Sequence, residues 1–347
     1  MPLLKKLKLY NFRNYAKKEI DFSAEKVVLS GANGVGKTTI LEAIYFLSIL
    51  RSFRGASIRD LFKIGSNNFE LSALIALNGY SENLKVIQQG NKRETWIDSN
   101  RIRRSSEFIR EFRTVVFVPE DHHIANGSSS FRRRFFDMLI STLDGDYLSS
   151  LSSYSRALSQ RNKALKTGIN SKIIAAFEPE LAINGPIISE KRHKYSKIIE
   201  KELNLLLSRR NEGIFSINYR SDYPDNSQDY MFLLEKNREK EIIRGCTLKG
   251  PQLDEFEFFL NKKELRYYGS NGQIRMISLL LKLSEFNLIR RFAHEKVAVL
   301  IDDVTNELDE KNKIDFFDAI SGADQQFFTF TEPPPEKYFF NAQIIPV

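Results

Sequence analysis

The sequence predicts an α/β fold: a phosphate-loop domain with an antiparallel β patch, interrupted by an inserted and mostly helical domain. Three features carry that expectation. A short apolar strand, Lys26–Ser30, runs into a glycine-rich loop and then an apolar helix reaching Leu50. Far along the chain, Val297–Ile301 is a continuous apolar run ending in Asp302 and Asp303, as suits a central parallel strand buried on both faces. Between them, from His122, helix-period segments rich in Lys and Arg replace the strand pattern. The expected boundaries are 1–120 and 246–347 for the discontinuous phosphate-loop domain and 121–245 for the insertion.

Gly31-Ala32-Asn33-Gly34-Val35-Gly36-Lys37-Thr38 fits G-x-x-x-x-G-K-[ST]. Its glycines let the backbone turn N–H groups inward without a Cβ in the way. Lys37 is placed to reach the β- and γ-phosphates, and the Thr38 hydroxyl to hold Mg²⁺. Thr39 and the apolar stripe Ile40, Ala43, Ile44 and Leu47 continue a helix whose positive end faces the same anion. Strand, loop and helix together predict a nucleoside triphosphate site.

At 347 residues the chain has room for one large or two ordinary domains. It has no run of about 18 apolar residues, so no membrane span is expected, and Met1–Lys6 lacks the apolar stretch of a signal peptide. The single cysteine, Cys246, excludes an internal disulfide and suits a reducing cytosol. His122, His123, His193 and His294 have no metal-ligand spacing. The formal charge of +8 is unevenly spread: residues 130–213 carry fifteen Lys/Arg against nine Asp/Glu, and residues 295–347 four against eleven. A basic middle and an acidic tail predict a polyanionic partner away from the C-terminus, with DNA, RNA and a membrane surface all open on charge alone.

In chain order, Leu7, Leu9, Ile20 and Phe22 alternate with polar neighbours and predict two strands, joined by the bend Asn11-Phe12-Arg13-Asn14-Tyr15. Strands are expected at 71–77, 84–88, 95–98 and 115–118, the last stopped by Pro119. Ser128–Ser130 can cap a helix striped by Phe131, Phe135, Leu139 and Leu143, with Arg132, Arg133 and Arg134 on its other surface. Helices follow near 148–166, 171–183 and 188–210, then a polar loop at 219–229 and a charged, solvated helix at 235–244. Tyr268-Gly269-Ser270-Asn271-Gly272-Gln273 opens an apolar helix, 274–289, as a second anion-binding arrangement. An aspartate at the end of the Val297–Ile301 strand can hold Mg²⁺ through water, and a last strand is expected at 326–331.

Phosphate loop, Ser-x-Gly-Gln signature, aspartate-ended strand and Glu307-Leu308-Asp309 occur in the order of an ABC-type ATPase head, like those of the SMC family. Within that class the chain resembles the RecF family of bacterial recombination-repair ATPases over nearly its whole length. Leu9–Tyr15 resembles the family's opening, and Arg51-Ser52-Phe53-Arg54 its turn after the phosphate loop. Pro119-Glu120-Asp121, Gly127, Arg132-Arg133 and Phe136-Asp137 resemble its central motif, and Leu158–Asn162 and Leu300–Asp303 are similar too. There are departures. The family's Gly-Pro-His-Arg-Asp stands here as Gly250-Pro251-Gln252-Leu253-Asp254, Asn271 is the signature's middle residue, and Asn306 stands where Ser is usual.

The resemblance implies that Arg13 joins Gly31–Thr39 around ATP and that Asp302 supports Mg²⁺ with Thr38. Ser270, Asn271, Gly272 and Gln273 of one chain would cap the γ-phosphate held by Lys37 of another, so that ATP closes a homodimer. Glu307, Leu308 and Asp309 would form the D-loop. Asp303 would orient the attacking water, and its side chain, one methylene shorter than the usual Glu, predicts slow turnover with a long-lived closed dimer; the weak ATPase activity is expected to be DNA-stimulated. Double-stranded DNA, single-/double-strand junctions and RecO- and RecR-like proteins are the implied partners. Arg132, Arg133, Arg134, Arg161, Lys163, Lys191 and Arg192 are the candidate DNA contacts. Two alternatives differ in class. An SMC-like head acting in DNA organisation would carry long heptad arms, which are missing. An ATPase of the overcoming-lysogenization-defect type, acting in phage defence, needs an acidic catalytic domain where only about 45 residues remain.

Overall fold

The computed structural model describes residues 3–76, 79–109, 111–167, 171–293, 296–304 and 310–347. It divides into two compact units, residues 1–121 with 285–347 and residues 122–284, so the second division lies at Ser284/Glu285 rather than 245/246. The strands are β1 (Leu4–Phe12), β2 (Tyr15–Asp21), β3 (Lys26–Ser30), β4 (Asn68–Ala76), β5 (Ser81–Gln89), β6 (Lys92–Ile97), β7 (Asn100–Ile102) and β8 (Arg113–Phe117). After them come β9 (Phe215–Arg220), β10 (Glu255–Leu260), β11 (Lys263–Glu264), β12 (Val297–Asp302), β13 (Gln325–Phe330) and β14 (Gln343–Pro346).

In the first unit, β14-β3-β13-β12-β8 form a parallel sheet and β2-β1-β4-β5-β6-β7 an antiparallel one. Every residue of β12 and β13 is buried, the mark of central strands covered on both faces. β13 begins with two buried glutamines, and the backbone satisfies them. Gln325 Oε1 accepts from Leu4 N (2.6 Å), and Gln326 Nε2 donates to the Ile320 carbonyl (3.1 Å). The helix Lys37–Ile49 packs against strands of both sheets and buries every residue but Thr38, which explains its near-continuous apolar sequence. Phe69 meets the rings of Phe12 and Phe46 edge-on at 5.2 and 5.4 Å, locking the antiparallel sheet onto that helix.

The second unit is helical with a small sheet, β11-β10-β9, that the sequence pattern conceals. Part of the expected polar loop is the end of β9, whose Phe215 and Ile217 point inward. β9 pairs antiparallel with β10 from Arg220↔Glu255 to Phe215↔Leu260, which ties residues beyond 245 to the insertion and moves the boundary. The two helices expected at 171–183 and 188–210 are instead a short one, Ser171–Ala175, and a long one, Glu178–Ser208, running through Pro186. Its buried stripe (Leu181, Gly185, Ile188, Arg192, Tyr195, Ile199) keeps phase across the proline. Packing along the stripe therefore offsets the roughly 3 kcal/mol that proline costs inside a helix.

Three arginines expected on the surface are inside. The helix Ser129–Leu143 buries Phe135 and Leu139 of the expected stripe together with Arg132, Phe136 and Ile140, while Phe131 is exposed, so the buried face is wider than expected and displaced toward the arginine. Arg132 is buried, donates to the Gly127 carbonyl (2.8 Å) and faces Phe258. Arg161, fully buried, bridges the buried carboxylates of Glu178 (2.9 Å) and Glu241 (2.6 Å) and bonds Thr247. Arg192, also buried, takes Asp137 in a two-pronged pair (2.8 and 3.1 Å), Asp254 (2.6 Å) and the Pro251 carbonyl (2.6 Å). Each guanidinium is held by a carboxylate or a carbonyl, which offsets much of its lost hydration, although the Nε atoms of Arg132 and Arg161 have no hydrogen-bond partner among the described residues. Arg161→Ala leaves two buried carboxylates without their shared cation, so it should cost about 3–5 kcal/mol. Urea unfolding checks this, and a loss under about 1 kcal/mol would show the pair to be structurally idle.

Candidate nucleotide site

The phosphate loop joins β3 to the helix Lys37–Ile49. Gly36 caps that helix with φ +114°, and a Cβ there would lie 2.4 Å from the Tyr15 hydroxyl and 2.8 Å from Asn14 Nδ2. Only glycine fits between the loop and the β1–β2 bend. The bend's purpose is thereby visible: Asn14 and Tyr15 also donate to the Val35 carbonyl (3.4 and 3.3 Å), bracing the loop from outside. No acidic side chain occupies the helix's first turn and no side chain caps it, which leaves its positive end for an anion. Lys37 Nζ lies along the loop, donating to the carbonyls of Gly31 (2.7 Å) and Ala32 (2.8 Å).

The other wall comes from the end of β12. Asp302 Oδ1 accepts from the Thr38 hydroxyl (3.0 Å) and the Thr329 hydroxyl (2.8 Å), and Thr329 Oγ1 accepts from Asp303 N (3.0 Å). Burial holds the Asp302 carboxyl above its ordinary range; the two threonine hydrogen bonds oppose that, and the nearby charges of Asp303 and Glu120 add to it. Asp303 turns the chain out of the strand with φ +54°, and among the described residues its buried Oδ1 has no hydrogen-bond partner. Lys37, Thr38 and Asp303 face one cavity of about 520 Å³, shared with Arg13, Asn14, Asn33, Gly34, Gly36, Thr39, Arg54, Asp60, Phe62 and Ile64. Among the described residues no three His, Cys, Asp or Glu side chains converge as a metal cage. The Thr38 hydroxyl and Asp302 carboxylate are instead the sparse oxygen set that suits Mg²⁺ shared with waters and phosphates.

Arg13 reaches the same cavity from the bend, with φ +54°, bonded to Glu42 through Nε and Nη2 (2.8 Å each) and to the Asp60 carbonyl (2.8 Å). Glu42, Asp60, Phe62, Ile64 and Thr329's link to Asp302 were not anticipated. One signal for Glu42 was present: a lone carboxylate in a helix otherwise apolar from Ile40 to Leu47 needs a cation.

The signature residues belong to the second unit. Ser270 and Gln273 form a reciprocal cap: Gln273 N donates to Ser270 Oγ (3.2 Å) and Ser270 N to Gln273 Oε1 (3.0 Å). Because the Ser270 hydroxyl accepts in that cap, its own proton stays free to donate. Asn271 and Gly272 are exposed beside it. Glu307, Leu308 and Asp309 lie outside the described residues.

Of the expected DNA contacts, Arg132, Arg161 and Arg192 are committed to the interior as described. Arg133 is half-buried and donates to the Asp254 carbonyl (2.8 Å), Lys191 is paired with Asp144 (2.5 Å), and Arg134 is half-buried and engaged within the protein. Lys163 is exposed, as are Arg156 and Lys166 on the same helix, Gly145–Thr167, and Lys194 on the next long helix.

The family model described as the RecF/RecN/SMC N terminal domain matches residues 3–335. The DNA replication and repair protein RecF of Streptococcus gordonii is 33% identical over 338 residues, covering 94% of this chain and 93% of the relative. Its counterpart in Thermoanaerobacter pseudethanolicus is 33% identical over 340 residues, covering 94% of each. A solved structure of the recombination mediator protein RecF with ATP, of the RecFOR pathway, superposes with a TM-score of 0.85 at 29% identity, over 95% of this chain and 92% of that one. With its ABC-type ATPase head, this chain belongs to the RecF family of DNA replication and repair proteins.

Proposed function

We propose that the chain is an ATP-gated DNA clamp of recombinational repair, working with RecO- and RecR-like partners. The observation that carries this is the convergence of Lys37, Thr38 and Asp303 on one cavity, with Asp302 bonded to Thr38 behind them. Lys37 exchanges its two loop carbonyls for phosphate oxygens. Thr38 and Asp302 would hold Mg²⁺, which would neutralise phosphate charge. Asp303, whose Oδ1 has no partner among the described residues, orients the attacking water and accepts its proton as the water oxygen bonds to the γ-phosphorus and ADP leaves. Ser270 donates its remaining proton, and Gly272 its N–H, to the γ-phosphate held by a second copy. ATP then lies between two helix N-termini, and its hydrolysis removes the charge they share. The solved RecF with ATP and the relatives' role in replication and repair support this reading.

The closed dimer holds double-stranded DNA and gap junctions and helps recombinase load. Arg156, Lys163, Lys166 and Lys194 are the cations best exposed for phosphate contacts, which give affinity without sequence readout.

Three outcomes follow. In sedimentation, ATP should convert wild-type monomers to dimers, tightened by duplex DNA, whereas Ser270→Arg should bind ATP and stay monomeric; a wild type that ignores ATP sinks the clamp. Because the raised Asp302 pKa lets protons compete with the cation at higher pH than for an ordinary aspartate, Mg²⁺-dependent ATP affinity should fall as pH drops from 7 to 5. That decline should flatten in Asp302→Asn, measured by nucleotide titration. Finally, Lys163→Ala should lower the slope of log affinity for duplex DNA against log salt by about 1; an unaltered slope removes Lys163 from the DNA surface.

A further inference from the structure

We infer that Glu42 is a positioning residue of the nucleotide site, fixing the Arg13 guanidinium and the Arg51–Gly55 turn so that Arg13 and Arg54 meet the bound phosphates in one set geometry. Glu42 lies five residues after Lys37 on the helix that carries the phosphate loop, and it is fully buried. Its carboxylate takes Arg13 Nε and Nη2 in a two-pronged pair at 2.8 Å each, while the Ser52 hydroxyl donates to Oε1. Ser52 Oγ in turn accepts from Arg54 N (3.1 Å). The third edge of the Arg13 fork donates to the Asp60 carbonyl, and Arg13 N donates to the Leu61 carbonyl (2.9 Å), so both ends of the side chain are tied. Arg13, Arg54 and Asp60 line the same cavity as Lys37 and Thr38.

The chemistry assigns the carboxylate a task that Lys37 and Thr38 do not perform. A planar fork held by a carboxylate keeps its orientation when an anion arrives, so no side-chain ordering is left to be done at binding. Being buried, Glu42 cannot touch the nucleotide; it acts through Arg13 and Ser52. The Arg51–Gly55 turn thereby moves with the helix that grips the phosphates, although it is distant from Arg13 in sequence.

This inference rests on ATP occupying the cavity, and a four-way comparison tests it. ATP affinity, from displacement of a fluorescent ATP analogue, and KM and kcat are measured for wild type, Glu42→Gln, Arg13→Ala and the double variant. Glu42→Gln should raise Kd and KM on the order of tenfold with kcat changed less than about threefold, and it should add less than about twofold on the Arg13→Ala background. Glu42→Asp should restore part of the loss. Folded Glu42→Gln with unchanged affinity, or the same tenfold loss in both backgrounds, overturns the inference. Should Glu42→Gln not fold, Arg13→Lys and Ser52→Ala decide it: weaker ATP binding in both supports the assignment, and unchanged binding in both rejects it. The wild type in the same titration separates two failures: no ATP binding there refutes the nucleotide reading, whereas unchanged binding by Glu42→Gln refutes only the role of Glu42.

Discussion

The nucleotide site depends on one carboxylate oxygen. Asp302 Oδ1 accepts from Thr38 and Thr329, and these bonds join the helix after the phosphate loop, β12 and β13, with Thr38 and Asp302 separated by 264 residues of chain. The junction follows from the sheet. Parallel pairing sets Asp302 beside Thr329, so aligning β12 with β13 brings the hydroxyl to the carboxylate. The same hydroxyl takes the N–H of Asp303, capping the strand where the chain turns left-handed and swings Asp303 into the cavity. A buried carboxylate with a raised pKa is costly, and two hydroxyl donors offset part of that cost without supplying a cation. The site therefore keeps a carboxylate with no paired cation among the hydrogen bonds it accepts, the oxygen chemistry that suits a divalent ion.

Both units bury charge, by the same rule and to different ends. In the first, Glu42 and Arg13 pair beside a cavity, and the guanidinium keeps an edge toward it. In the second, the guanidinium groups of Arg161 and Arg192 are buried with their carboxylates, of which only Asp137 is partly exposed, and they tie long helices to one another. Arg161 binds carboxylates from two further helices, Glu178–Ser208 and Ser227–Arg244, so it specifies which helices meet as much as how strongly. The basic excess of the middle of the chain is therefore partly an internal feature, and the surface open to a polyanion is smaller than the sequence count suggests.

Legibility tracked the range of the interactions. The phosphate loop, β3 and β12 are written in contiguous residues, because their chemistry is local backbone geometry and burial on both faces. The small sheet was hidden because β9, Phe-Ser-Ile-Asn-Tyr-Arg, reads as half polar and gains its identity only from β10, thirty-five positions on in register at Arg220↔Glu255. The arginines misled for a different reason: residue type outweighed phase. Arg161 stands at helical spacing with Tyr154, Ala157, Ala164 and Leu165, and Arg192 with Ile188, Tyr195 and Ile199, all buried. A cation on an apolar stripe points to a buried acid, and Glu178 and Asp137 were there to be matched. Glu42 is the mirror case, an acid in an apolar helix whose partner, Arg13, lies on a bend that sequence alone leaves without a neighbour.

The departure at Gly250–Asp254 separates into two different changes. Gly250 has φ +135°, and a Cβ on it would sit 2.2 Å from the hydroxyls of both Tyr154 and Tyr230, so this turn is set against a buried tyrosine cluster. Arg192 holds the turn's Pro251 carbonyl and Asp254 carboxylate from the other side. Gln252 is inside that frame: its Oε1 accepts from the Tyr154 hydroxyl at 2.6 Å, so an amide does there the hydrogen-bonding work a neutral imidazole nitrogen could do. Leu253 is half exposed, and its change from a cation alters only the surface. The fold therefore tolerates both substitutions for unrelated reasons, one by replacing a hydrogen-bond acceptor and one by facing water. Leu253 lines a groove with Arg220, Lys249, Asp222 and Glu255, and the two cations are already paired, Lys249 with Asp222 and Arg220 with Glu257; an apolar residue at 253 therefore leaves that groove's acids and bases balanced.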